Sequence, residues 1–123
     1  MKKLVGLAVG ILLSAATFAQ SGVTFTDAHD GYNKTTTQKF NFSFPSKYTV
    51  EQINTSASYY TAYFTVAPVA TADGVNVQIQ LVEDNEMSRR VVARFFVSLE
   101  VQEINVNGTA MPVSDFASTY IML

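Results

Sequence analysis

The sequence predicts an α+β chain: a four-stranded antiparallel sheet with two helices on one face, in the order β-α-β-β-α-β. Three observations predict it. Val75, Val77, Ile79 and Leu81 alternate with Asn76, Gln78 and Gln80, the period-two pattern of a strand with one dry face and one wet face. Met87, Val91, Phe95 and Leu99 then fall four apart, and Val92 and Phe96 widen the stripe, as on a helix packed against a core. Pro68 interrupts the run before the Val75 strand; proline cannot donate to a ladder, so that run belongs at a sheet edge.

Taken in order, the chain opens on a secretory signal. Lys2 and Lys3 form a basic start, residues 4–16 are apolar but for Gly6, Gly10 and Ser14, and Thr17 and Ala19 supply small residues for cleavage after Ala19. No polar face interrupts the run, which separates it from an N-terminal core helix, and it is shorter than the roughly 20 residues of a membrane span. Removing nineteen of the 123 residues leaves 104, enough for one domain with a workable core. The expected location is periplasmic or secreted.

Residues 20–38 are rich in Ser, Thr, Gly, Asp and Asn and read as a flexible leader, with Val23 and Phe25 able to make a short extended piece. A single α+β domain is expected over 39–123. Phe40, Phe42 and Phe44 alternate with Asn41 and Ser43, a strand with a buried aromatic face. Thr49-Val50-Glu51-Gln52 fits a capping box, and Val50, Ile53, Ala57, Tyr60 and Phe64 follow at helical spacing. If residues 49–64 were instead extended, as their Thr, Ser and Tyr content suits, an all-β sandwich would result.

Residues 65–71 form the next strand, and Asp73-Gly74 turns it into an antiparallel partner over 75–82. The acidic run Glu83, Asp84, Glu86 opens the second helix, where acids favour an N-terminus and Asp84 or Asn85 supplies the cap. Ile104 and Val106 make a last strand before the Asn107-Gly108 turn. Beyond it, residues 109–113 either fold back as a hairpin or run on extended. Ser114 is placed to cap a short helix holding Phe116, Tyr120 and Ile121.

The element order is that of the split-βαβ, ferredoxin-like arrangement. Over residue 39 to about 108 the chain resembles the heavy-metal-associated, copper-chaperone-like branch of ferredoxin-like domains in exported bacterial proteins. That resemblance implies a metal loop between first strand and first helix, carrying two cysteines spaced CxxC. Here the loop is Pro45-Ser46-Lys47-Tyr48 and the chain has no cysteine, so the family's ligands have no positions to occupy.

The chemistry-bearing residues point away from catalysis. With the signal go two of eight basic residues, leaving six against ten acids; nucleic acids and anionic membranes demand clustered Lys and Arg, so neither is expected as a partner. Without cysteine there is no disulfide, thiol nucleophile or thiolate site. His29, the single histidine, lies in the leader beside Asp27 and Asp30. Met87, Met111 and Met122 are dispersed, and Met87 falls on the core stripe. Glu83, Asp84 and Glu86 read as helix-start charges, and Arg89, Arg90 and Arg94 as a solvated face with a Glu86–Arg90 pair. No catalytic residue, cofactor or metal ligand is assigned.

The most suggestive feature is an amide-rich sheet face of Asn41, Ser43, Asn76, Gln78 and Gln80, expected as an interaction face for a protein partner or a second copy, since amides donate and accept alike. The expected function is an exported, non-catalytic binding module. The alternatives are a metal or small-ligand carrier using Met, His and carboxylates, and a hydrolase built on Glu83 and Asp84.

Overall fold

The computed structural model describes residues 22–123, so the signal expected over 1–19 lies outside the described residues. The elements are β1 (Val23–Phe25), β2 (Lys39–Pro45), α1 (Val50–Ala57), β3 (Phe64–Ala70), β4 (Gly74–Leu81), α2 (Glu86–Ser98), β5 (Glu103–Val106), β6 (Thr109–Pro112) and α3 (Val113–Phe116). A 3-10 turn, Ser58–Tyr60, follows α1, and a wide π-type turn, Ala117–Ile121, follows α3.

The expected four-stranded antiparallel ferredoxin-like sheet is corrected, and so is the all-β alternative. The sheet has six strands in the order β3-β4-β2-β1-β5-β6. It is mixed, because β1 pairs antiparallel with β2 but parallel with β5. The difference lies in residues 20–38, expected as a leader. Val23 and Phe25 are buried, and their strand occupies the place beside β2 that β5 would otherwise take. Phe25 explains the insertion: its ring packs 5.0 Å from Phe116 and 5.2 Å from Phe42, contacts that aromatic pairs favour. Val23 and Phe25 suggest a short extended piece, but three residues say nothing of where in a sheet it pairs.

One face of the sheet is roofed. Phe40, Phe42 and Phe44 of β2 and Val75, Val77, Ile79 and Leu81 of β4 point into the core, meeting Ile53 of α1 and Val91, Val92, Phe95 and Phe96 of α2. Phe96 lies 4.8 Å from Phe42 in a tilted edge contact. The capping box forms as the sequence indicates: the Gln52 backbone N–H donates to Thr49 Oγ1 at 3.0 Å and the Thr49 N–H to Gln52 Oε1. α1 is shorter than the expected 49–64, because only Ile53 and Ala57 give it a buried stripe and Tyr59 is 79% exposed. Asn85, not Asp84, caps α2, accepting from the Ser88 N–H at 2.8 Å.

The turns follow their glycines. At the β3–β4 hairpin a Cβ on Gly74 would lie 2.0 Å from the Phe44 carbonyl oxygen, so strand contact itself demands glycine there. Asn107 and Gly108 have φ of 51° and 86°, as a tight hairpin turn requires, and β6 folds back on β5. α3 begins after Pro112 with no side-chain cap, so the expected Ser114 cap is not formed.

Candidate functional site

The other face of the sheet carries no helix. Strand alternation delivers a continuous row across all six strands: Val69, Asn76, Ser43, Thr24, Asn105 and Ala110 are successive partners. A second row joins Ala67, Gln78 and Asn41. Neither row contains a charge. Gln80 stands further along, between Thr65 and Lys39. All five residues singled out for this face, Asn41, Ser43, Asn76, Gln78 and Gln80, are therefore on it.

Over these rows lies a shallow groove of about 510 Å³, lined by Thr26, Asn41, Ala67, Val69, Asn76 and Gln78. Its polar wall is ordered by a relay. The Gln78 amide donates to Asn41 Oδ1 at 3.2 Å. The Asn41 amide donates to both oxygens of Asp27 at 3.2 Å, and its backbone N–H donates to Asp27 Oδ2 at 2.9 Å. Asp27 is an acceptor only, so it fixes which way the Asn41 amide faces and, through it, Gln78. The opposite wall is apolar, and Val69 there is 60% exposed.

Both free edges of the sheet are blunted. The Tyr63 carbonyl accepts from Val82 and the Thr71 N–H donates to Gly74, so alternate residues of β3, Pro68 among them, turn their backbone groups outward. By the same reasoning from the Val113 N–H to Gln102 bond, Pro112 faces outward on β6. Each proline removes one donor from an open edge, a recognised guard against strand addition.

No family model, curated protein or solved structure matches this chain.

The residues with ionic chemistry sit elsewhere. Arg89, expected on a solvated face, is fully buried. Its Nε donates to Asp84 Oδ1 at 2.7 Å and its Nη2 to Asp84 Oδ2 at 3.1 Å. Nη1 donates to the carbonyls of Lys34 and Ile121, and Nη2 to that of Thr37, all at 2.7–2.8 Å. These bonds offset the desolvation that a buried cation otherwise suffers. The Arg89 hydrogen bond, first among the causes, holds the Asp84 carboxyl below its usual range. Spacing could have revealed the burial, since Arg89 precedes Val92 and Phe96 by three and seven residues on the same stripe. Met87, expected in the core, is 47% exposed instead.

Glu83 and Glu86 are exposed, and Glu86 pairs with Arg90 at 3.4 Å. The acidic run thus splits, Asp84 turning to the buried Arg89 guanidinium and Glu83 and Glu86 to solvent. His29 is exposed, its ring nitrogen 2.9 Å from the Asp30 carbonyl. Among the described residues no three His, Cys, Asp or Glu side chains converge, and no helix is long and apolar enough to cross a membrane.

Proposed function

We propose that the chain is an exported, non-catalytic interaction module that engages a second copy of itself through the open sheet face. The observation that carries this reading is the uncharged row running from Val69 to Ala110 across six strands. Identical charged rows set face to face repel; two uncharged amide rows do not, and each amide pairs with its own kind. The outward-facing prolines disfavour association through an edge, which leaves the face. The signal read in residues 1–19 supports export.

Strand spacings of about 4.8 Å and rises of about 3.3 Å give the face a projected area on the order of 500 Å². A standard interface buries about 800 Å² per partner, so the association is weak and reversible. Sedimentation velocity from micromolar to millimolar protein tests it. The expected result is a concentration-dependent dimer that Gln78→Glu abolishes by setting carboxylates face to face. A strict monomer at millimolar concentration, or a dimer indifferent to that substitution, refutes the reading.

A further inference from the structure

Three segments distant in sequence meet at Arg89. It sits in the first turn of α2 and grips the carbonyls of Lys34 and Thr37, the carbonyl of Ile121, and the Asp84 carboxylate before the helix. A second tie lies beside it: the Tyr32 hydroxyl donates a short hydrogen bond to the Tyr120 carbonyl. A third is the Lys34 ammonium, which donates to the Ser118 carbonyl at 3.0 Å. Residues 26–38 are thus bonded to the C-terminal segment directly at two points and through Arg89 at a third. Apart from turns within the loop, their other bonds run to Arg89, to β2 and, from the Leu81 N–H to the Gln38 carbonyl at 3.0 Å, to the end of β4.

The loop's near end reaches the opposite side of the sheet. Thr26 bonds to the Asn41 carbonyl through both its backbone N–H, at 3.0 Å, and its hydroxyl, at 3.1 Å. Asp27, next along, sets the Asn41 and Gln78 amides. A loop of this kind has little apolar burial of its own, so its order depends on these bonds.

We propose that the C-terminal segment, residues 113–121, acts as a latch on the 26–38 loop, with Arg89 as the positioning residue, and that this latch determines whether Asp27 orients the amide groove. A disturbance of the C-terminal segment is then felt on the far face, through one loop and without any change in the strands. The latch stands on its own geometry and holds whether or not the open face binds a second copy.

Hydrogen exchange resolved by residue, on the monomer at low concentration, tests it. Tyr32→Phe removes one tie while keeping the ring, and Arg89→Lys keeps the charge while losing the fork that reaches three carbonyls. Each is expected to raise exchange about tenfold at those amides of residues 32–41 whose protection depends on the loop. The Asn41 and Gln78 side-chain amide resonances should shift with it, while amides of the β3–β4 hairpin stay within twofold of wild type. Should Arg89→Lys fail to fold, Tyr32→Phe carries the test alone. Unchanged exchange in 32–41, a uniform rise across all strands, or unmoved Asn41 and Gln78 resonances would overturn the proposal. Dimer formation is read separately by sedimentation, so failure of one proposal is distinguishable from failure of the other.

Discussion

Glu100 shows how much one backbone angle can matter. It ends α2 with φ of 63°, in the left-handed region where glycine is the usual occupant. Around it the Val101 N–H donates to the Phe96 carbonyl at 3.0 Å and the Glu100 N–H to that of Val97 at 2.9 Å, the paired bonds of a Schellman stop. The bonds and the burial of Phe96 and Val101 hold a non-glycine residue in a strained position. Glu100→Gly should therefore stabilise the fold by about 1 kcal/mol, seen as a higher urea midpoint at unchanged slope. Neither the strain nor the Arg89 clasp could be read from residue types, because both depend on where the chain goes next. Asp84, by contrast, stood out as a helix-start acid, and only its partner was hidden.

Among the elements, the two main helices differ in what depends on them. α2 buries Val91, Val92, Phe95 and Phe96 against the sheet, whereas α1 buries only Ile53 and Ala57. Each has a side-chain N-cap, and removing one typically costs about 1 kcal/mol. Asn85→Ala should lower global stability by that amount in urea unfolding. Thr49→Ala should instead raise hydrogen exchange within α1 and leave the urea midpoint nearly unmoved, since a helix so lightly packed opens locally. Both caps were legible, one as a capping box and the other as one of two adjacent candidates. Element existence was legible wherever four or more residues repeated a period. For β1 the extended piece at Val23 and Phe25 was legible but its place in the sheet was not, and β6 stayed open, because alternation there is weak and hairpin and extended readings stood level.

The stability of the whole molecule answers to pH through Asp84 and Tyr32, both beside the Arg89 clasp, and through Tyr48, whose phenol is also pushed up by burial. Asp84 is ionised more readily folded than unfolded, so below about pH 4, the ordinary carboxylate value, the unfolded chain holds more protons and stability falls with falling pH. The Tyr32 phenol is pushed up to about 12, first by burial, then by the Asp27 carboxylate, with Arg89 opposing. The unfolded phenol loses its proton near pH 10, so stability falls as pH rises from about 10 to about 12. Thermal midpoints measured across pH should show both limbs. Asp84→Asn should flatten the acid limb and Tyr32→Phe the alkaline one. If Tyr32→Phe leaves the alkaline limb as steep as before, the phenol is not what the closure of loop on C-terminus protects.

The amino-acid order by itself determined the two long central strands with their dry and wet faces, the helix between residues 86 and 98, both hairpin turns, and the amide side chains of the open face. These are local properties: a period, a cap or a turn residue acts over a few positions, and the side to which each residue points follows from strand alternation. Only the tertiary structure decided that residues 23–25 enter the sheet beside β2, which carbonyls Arg89 grips, and that Asp27 governs Asn41. Those outcomes arise where segments well separated in the chain, from 14 residues for Asp27 and Asn41 to 55 for Lys34 and Arg89, meet at the same edge or the same polar groups, and such meetings are settled by packing and desolvation rather than by neighbours in the chain.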